Sequence, residues 1–311
     1  MVVAYNLMRN LPFDKPGRFY RGNLHAHSTN SDGTLPPEDL ASLYKQSGYD
    51  FLAITDHFRE RYGFPVTDTR PYRRDGFTTL LGAELHAPAT ALGVDWHILA
   101  VGLPPDFRPR RSDECGPDLA RRAKEVGAFV GIAHPAWYGL TSQDAKSLEG
   151  TADAVEVYNH SALEDNDRSD GWYLADALLA EGRRTNAYAA DDAHLREGVP
   201  DAYGGWVEVR SEALEPEAIL TALKAGHYYS SQGPEIHAVE VGERRVVVRC
   251  SPARGVFLGG RGYARARALG EGITECELPM DLFVGGGSSH LRVTVVDAGG
   301  RRAWTNPVWL G

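Results

Sequence analysis

Residues 18–27 read RFYRGNLHAH and residues 51–57 read FLAITDH. Each stretch combines apolar residues with a polar end that contains histidine or aspartate, and residues 37–46 between them have helical spacing. Side chains alternate across a strand, so His25 and His27 are expected to point the same way and to be able to bind one metal ion together. The alternation of strand and helix predicts a parallel sheet in an α/β fold.

The same pattern continues to about Gln232. The predicted strands are Phe19–His25, Phe51–Thr55, Thr79–Glu84, Trp96–Val101, Phe129–Ala133, Ala154–Tyr158, Thr185–Ala190 and Gly205–Val209. The predicted helices are Pro37–Gln46, Pro117–Val126, Trp172–Ala180 and Glu215–Ala225. Seven or eight βα units of this kind fit a barrel spanning residues 18–232, after a lead segment at residues 1–17.

The pattern changes after Gly233 to β-rich segments separated by glycine-rich turns, with no clear helix. The segments are Ile236–Val241, Arg245–Cys250, Leu291–Asp297 and Ala303–Trp309. They predict a small antiparallel β domain over residues 233–311.

The composition disfavours membrane and nucleic-acid partners. The 311 residues carry a formal net charge of −9, whereas binding to a nucleic acid polymer needs a basic face. No run of about 18 apolar residues and no signal-peptide pattern is present, so we predict a cytoplasmic protein. The three scattered cysteines suit neither a disulfide framework nor a cysteine-based zinc site. Homo-oligomerisation is left open.

Histidines and carboxylates gather at the ends of predicted strands, the rim where βα barrels carry their active sites. They are His25, His27, Asp32, Asp56, His57, Glu84, His97, His134, Asp192 and His194. One histidine in an apolar segment is more often a hydrogen-bonded core residue than a ligand. Imidazoles and carboxylates on one rim, however, would repel or go unpaired without a cation or an ordered network. Nitrogen and oxygen ligands without thiolate predict zinc, manganese or iron.

In chain order, the motifs HAH (25–27), SDG (31–33), TDH (55–57), GAE (82–84), AHP (133–135) and DAH (192–194) resemble the PHP (polymerase and histidinol phosphatase) family. The resemblance covers about two-thirds of the chain. It implies a distorted seven-stranded βα barrel, (β/α)7, with a trinuclear centre that binds two or three divalent ions.

The resemblance also implies which residues hold each ion. His25, His27, Glu84 and Asp192 would hold the first, Glu84 would bridge to a second held by His97 and His134, and Asp32, His57 and His194 would hold the third. Both His86 and His97 follow Glu84, and the family places this ligand in a short apolar segment such as HILAVG at 97–102, which favours His97. His86 is then expected to face the cleft or to pack.

Such a centre predicts a metal-dependent hydrolase whose bridging water is activated to hydroxide. The preferred substrate is a small, anionic phosphorylated metabolite or nucleotide, which makes the protein a phosphoesterase. The tail segments GHYYSSQGP (226–234) and RAWTNP (302–307) resemble the branch of the family that includes carbaryl hydrolase. Hydrolysis of a carbamate, ester or amide by the same metals is therefore the alternative. A non-catalytic, metal-stabilised binding domain is the third hypothesis.

Two further residues are candidates for catalysis. Asp56 is expected either to orient the imidazole of a ligand or to be hydrogen-bonded to backbone at its strand end. His160 could protonate a leaving group near neutral pH, or be a loop histidine. The candidate phosphate contacts are Arg59, Arg61, Arg183 and Arg184, because a guanidinium fork matches a phosphate.

Overall fold

The computed structural model describes residues 11–310, so the first ten residues of the predicted lead segment and residue 311 lie outside the described residues. The strands are β1 (Arg18–Asn23), β2 (Phe51–Ile54), β3 (His57–Phe58), β4 (Thr78–Ala87), β5 (Trp96–Val101), β6 (Phe129–Ile132), β7 (Ala154–Asn159), β8 (Asn186–Ala190), β9 (Trp206–Ser211), β10 (Tyr228–Ser231), β11 (Ile236–Val241), β12 (Arg245–Gly260), β13 (Arg265–Pro279), β14 (His290–Val296), β15 (Arg302–Thr305) and β16 (Val308–Trp309). The helices are α1 (Pro37–Gln46), α2 (Gly116–Glu125), α3 (Pro135–Tyr138), α4 (Ser142–Ser147), α5 (His160–Asn166), α6 (Trp172–Ala180), α7 (Pro216–Lys224) and α8 (Asp281–Val284). Short 3₁₀ helices cover Pro12–Asp14, Glu60–Tyr62 and Arg70–Tyr72. Within this part of the chain, no helix is both long enough and apolar enough to span a bilayer.

Backbone hydrogen bonds join the strands of residues 11–310 into one sheet, in the order β11–β12–β14–β15–β10–β9–β1–β2–β4–β5–β6–β7–β8. Strands β13, β16 and β3 pair with β12, β14 and β4 beside this path. The prediction of a parallel sheet is confirmed for β1–β2–β4, for β3–β4 and for β6–β7–β8, but not for the whole sheet. β5 runs antiparallel to both β4 and β6, and β9 runs antiparallel to β1. The link between β4 and β5, residues 88–95, is too short for the crossover of a dozen or more residues that parallel strands need. The fold is mixed α/β.

Strand pairing does not close the predicted barrel. The ladder ends at β8, which lies beside β9 and β10 without forming a ladder with either. Side chains bind the free edge of β8 instead. The Ser230 hydroxyl accepts the Ala189 N–H at 3.0 Å and donates to the Ala187 carbonyl at 3.3 Å. The Asn306 Oδ1 accepts the Ala187 N–H at 2.8 Å.

The tail strands β11–β16 pair antiparallel, as predicted, and their apolar side chains form a cluster that Leu11 and Tyr229 of β10 also join. The one-turn helix α8 is an exception to the expected absence of helix. The tail is also tied to the first part of the chain. Trp304 of β15 packs on Tyr158 and Trp172, with ring centroids 6.2 and 6.4 Å away. Arg292 of β14 donates two hydrogen bonds, at 2.9 and 2.8 Å, to Asp176 of α6. The boundary at residue 233 stays a prediction.

Candidate metal centre

The segments that follow β1 and β8 are joined side by side, and this places the HAH and DAH motifs together. The His27 N–H donates to the Ala193 carbonyl and the Asp192 N–H donates to the His25 carbonyl, both at 2.9 Å. Ala26 and Ala193 form an isolated parallel bridge between these bonds. The two sequence motifs, more than 160 residues apart, therefore form one edge of the site.

All nine predicted metal ligands come together at this end of the strands. Groups whose ligand atoms lie within 4.8 Å of one another are His27/Asp32/His57/His194, His25/His27/Glu84, His25/His134/Asp192, Glu84/His97/His134 and His57/Glu84/His86. His86 thus joins the predicted set in space. Several overlapping groups of this kind fit a site for more than one ion.

Glu84 lies at the centre of the cluster and is fully buried. Its Oε1 is 2.6 Å from His97 Nδ1 and 3.1 Å from His134 Nε2. Its Oε2 is 3.7 Å from both His25 Nε2 and His27 Nε2. Each carboxylate oxygen therefore faces a different group of imidazoles, as a bridging ligand requires.

Asp32 organises a second part of the cluster. Its Oδ1 is 3.4 Å from His57 Nε2 and 3.4 Å from His194 Nε2. Two ligands that each lie about 2.1 Å from a tetrahedral ion are about 3.4 Å apart. Gly33 allows the tight turn here, because a Cβ at this position would lie 2.1 Å from the His27 carbonyl oxygen.

Unpartnered buried atoms test whether the cluster suits a cation. His25 Nε2, Asp32 Oδ1 and Glu84 Oε2 are buried and have no hydrogen-bond partner among residues 11–310. Burying such atoms without a partner costs about 1–3 kcal/mol each. In addition, His134 and Asp192 have positive φ values of 21° and 57°, a strained conformation for residues other than glycine. The unpartnered atoms of His25, Asp32 and Glu84 converge on the space that divalent ions would occupy, so the donor set fits a metal centre.

The charge states of the cluster follow from burial and mutual contact. Burial disfavours the protonated form of His25, but Asp192 and Glu156 outweigh it and raise the pKa of His25 well above its ordinary value. Burial and two neighbouring imidazoles lower the pKa of His27 to about 4. Burial would raise the pKa of Glu84, but the surrounding imidazoles hold it well below its usual range. Glu84 and His27 are thus in the deprotonated forms that bind cations, whereas His25 has to release a proton.

Glu156, which the sequence analysis missed, supports the cluster from β7. Its Oε1 is 3.2 Å from His25 Nδ1, and its Oε2 accepts the His134 N–H at 2.5 Å. Asn159 donates through Nδ2 to both Glu156 and Asp192, at 3.1 and 3.2 Å. Glu156 therefore occupies His25 Nδ1 and leaves Nε2 facing the cluster. The signal was an acidic residue inside the otherwise apolar run AVEVYN.

A cleft of about 370 Å³ opens over the cluster. Six predicted ligands line it: Asp32, His57, His97, His134, Asp192 and His194. Three arginines line it as well: Arg59, Arg61 and Arg196, the last of which the sequence analysis missed. Arg183 is instead paired with Glu149 and Glu181, and Arg184 lies over the Trp309 ring, so these two predicted contacts lie outside the cleft.

The cleft also has an aromatic wall. Trp137 of α3 lines it and packs edge-to-face on His97 and His134, with centroids 5.7 and 5.4 Å away. The indole N–H donates to Asp165 at 2.7 Å, which fixes the ring. Asp165 and Glu164 add carboxylates to the lining.

The two candidates for catalysis lie in different surroundings. Asp56 accepts hydrogen bonds from the Ser28 backbone and hydroxyl and from the Ser31 hydroxyl, each at 2.7 Å. No hydrogen bond links it to an imidazole of the described chain; one backbone N–H and the hydroxyls of Ser28, Ser31 and Thr67 occupy its carboxylate instead. Its role stays a prediction.

His160 begins α5, where its Nδ1 is 2.8 Å from the Tyr158 hydroxyl. Gly204 packs against the ring, since a Cβ there would lie 2.1 Å from it. His160 is not among the residues of 11–310 that line the cleft. Its predicted role as a proton donor would require the imidazole to leave Tyr158.

Comparison with known proteins finds no matching family model and no matching curated protein. Among solved structures, the chain is similar to a two-domain protein of Bacteroides vulgatus described as containing a predicted PHP-like metal-dependent phosphoesterase, with a TM-score of 0.52 and 15% identity over 92% of this chain and 94% of that one. A protein of Bifidobacterium adolescentis described as a metal-dependent phosphoesterase matches at a TM-score of 0.43 and 16% identity, over 58% of this chain and 90% of that one. An amidohydrolase of Chromobacterium violaceum matches at a TM-score of 0.40 and 15% identity, over 57% of this chain and 89% of that one. The chain therefore shares, over nearly its whole length, the fold of a two-domain PHP-like protein.

Proposed function

We propose that this protein is a metal-dependent hydrolase of small phosphate esters, of the PHP type that the sequence motifs resemble. The observation that carries the proposal is the convergence of unpartnered, buried ligand atoms beneath an open cleft. A purely structural cluster would have its polar atoms satisfied. The fold shared with the Bacteroides vulgatus protein supports the same assignment.

The nine clustered residues would hold two or three ions of zinc, manganese or iron, and Glu84 would be shared between ligand groups. When bound, such ions acidify water toward neutrality and stabilise negative charge on the substrate. The nitrogen and oxygen donor set suits all three metals, so availability decides which is bound.

The arginines favour a phosphoester over a neutral substrate. Arg59 is oriented by Asp95 at 2.7 Å, and Arg196 is 3.2 Å from Asp32 Oδ2. Together with Arg61 they bring guanidinium groups to the cleft above the cluster. Guanidinium groups bind phosphate oxygens through paired, charge-assisted hydrogen bonds. Their role is to orient the phosphoryl group and to offset its charge.

Trp137 supports the alternative, a carbamate, ester or amide hydrolase of the carbaryl-hydrolase branch. Its ring offers apolar area beside His97 and His134. A neutral aromatic substrate would use this wall and would not need the arginines. The two functions share the metal centre and differ in substrate charge.

The test is elemental analysis of the purified protein, together with hydrolysis assays on p-nitrophenyl phosphate, bis-p-nitrophenyl phosphate and a naphthyl carbamate. His25→Ala removes a central ligand, and His237→Ala, on the exposed face of β11, is the matched control. We expect two or three ions per chain and phosphoester turnover that is lost only in His25→Ala. Turnover of the carbamate alone would establish the alternative, and a protein that cannot be loaded with zinc, manganese or iron would refute both.

A further inference from the structure

His86 lies directly behind His57, in contact with the edge of that ring opposite Asp32. His57 Nε2 faces Asp32 Oδ1 at 3.4 Å, and His57 Nδ1 lies 2.9 Å from His86 Nε2. His86 is 6% exposed and, unlike His57, does not line the cleft formed by residues 11–310. It therefore contacts a candidate ligand without facing the substrate space.

The second nitrogen of His86 is also engaged. Its Nδ1 is 3.2 Å from the Trp96 carbonyl oxygen and 3.0 Å from Arg59 Nη2. The ring position follows from strand register, because His86 of β4 is the cross-strand partner of His97 of β5. The imidazole is thus fixed at both nitrogens and cannot turn freely.

These contacts allow two linked tautomers. A neutral imidazole carries one hydrogen, so each ring has one donor and one acceptor nitrogen. If His86 Nδ1 accepts from Arg59, then His86 Nε2–H points at His57 Nδ1 and the hydrogen of His57 lies on Nε2. If His86 Nδ1–H donates to the Trp96 carbonyl, Arg59 Nη2, which is always a donor, has to leave His86 Nδ1, and His86 Nε2 then accepts the His57 Nδ1–H. Only the second arrangement leaves the lone pair of His57 Nε2 free.

Glu84 Oε2 also lies 2.6 Å from His57 Nδ1, but the two atoms are not aligned as a hydrogen bond. The same oxygen faces His25 and His27, as part of the group assigned to the first ion. Among the described residues, His86 takes part in one ligand group only, that with His57 and Glu84, whereas Glu84 takes part in three. It is the acceptor that a ligating His57 can use without drawing on the ligands of another ion.

We propose that His86 is a positioning residue: it accepts the Nδ1–H of His57 and so fixes the tautomer in which His57 Nε2 binds a metal ion. The inference rests on the metal centre of the proposed function. Metal-bound histidines generally donate their other N–H to a carboxylate, a backbone carbonyl or water, and loss of that acceptor typically weakens metal binding about 10–100-fold. Here the His86 imidazole takes that place.

Zinc binding to metal-depleted protein, measured by competition with a chromophoric chelator, tests this for each ion. We expect His86→Leu to weaken the binding of one ion about 10–100-fold and to leave the affinity for the others unchanged. His86→Gln should stay within a few-fold of wild type, because its amide oxygen can accept the same N–H. His290→Leu, which removes a buried histidine of the tail, is the control for loss of a buried imidazole.

The tautomer can also be read directly, without a variant that might disturb folding. In the zinc-loaded wild type, nitrogen-15 NMR of the histidines should show the His57 hydrogen on Nδ1, with the signal assigned through His57→Gln. An unchanged zinc affinity in His86→Leu, an equal loss in His86→Gln, or a His57 hydrogen on Nε2 would each overturn the proposal. Zinc binding without hydrolysis of any ester would refute the proposed function and leave this inference standing.

Discussion

Replacing Asn306 by alanine should destabilise the whole fold, although this residue lies far along the chain from the strand that it supports. Asn306 is 3% exposed and follows β15. Its Oδ1 accepts the Ala187 N–H at 2.8 Å, and its Nδ2 donates to the Gly226 and Tyr228 carbonyls, both at 3.1 Å. Alanine removes all of these bonds at the edge where the sheet lacks a ladder.

The magnitude follows from what is left unpaired. The Ala187 N–H would stay buried without an acceptor, which costs about 1–3 kcal/mol. Each of the two carbonyls would lose a hydrogen bond worth roughly 0.5–1.5 kcal/mol. Partial relaxation and entry of water would recover some of this, so we expect a loss of about 3 kcal/mol in the free energy of unfolding.

Urea denaturation followed by circular dichroism measures this loss, with the m-value checked for change. The control is Asn166→Ala at the end of α5, where an exposed side chain accepts one bond from the Arg168 N–H at 3.1 Å. We expect the control to stay within about 0.5 kcal/mol of wild type. A loss in Asn306→Ala no larger than in the control would refute the argument that side chains close the edge of β8.

Three further predictions concern the site and its surroundings. Glu84→Gln should bind at least one ion fewer per chain by elemental analysis, because this carboxylate takes part in three ligand groups; full occupancy would show that it is not a bridging ligand. Arg196→Ala should raise KM for a phosphate ester about 10-fold, the loss of about 1.4 kcal/mol of binding, whereas Arg183→Ala should leave KM unchanged; equal effects would rule out a specific contact at Arg196. Burial raises the pKa of Glu208 from its ordinary value of 4.5 to about 7 in the folded protein. Between these two values the folded state holds more protons than the unfolded state, so the free energy of unfolding falls as pH rises through this range. Glu208→Gln should therefore gain stability over wild type in urea denaturation at pH 8 but not at pH 5, and a pH-independent difference would argue against an ionising Glu208.

Much of the candidate site could be predicted because its residues lie at strand ends or directly after them, within short motifs. His25 and His27 follow β1 with the expected spacing, and Asp192 and His194 follow β8. Glu156 was missed because one acid in an apolar strand resembles ordinary alternation until its partners are known. Arg196 was missed because it comes into the cleft through a loop after β8 with no periodicity of its own.

The fold was predictable where a rule is local and unpredictable where it depends on distant contacts. Helices α1 and α6 and strands β5 and β11 have the predicted bounds, since apolar periodicity and flanking residues define them. The direction of β5 was open to prediction from its short link to β4. Closure at β8 was not, because it depends on Ser230 and Asn306, and no local pattern distinguishes these from other polar residues near strand ends.

The hydrogen bonds of Asn306 also bear on the order in which the chain acquires structure during synthesis. A ribosome releases residue 187 well before residue 306, so the nascent chain passes through a stage at which β1–β10 are complete in sequence but the edge of β8 lacks one of its partners. Unpaired strand edges of this kind are sites of aggregation. Fragments that stop between residues 232 and 300 should therefore require chaperones or remain insoluble, and protease resistance should appear only once residue 306 has left the ribosome.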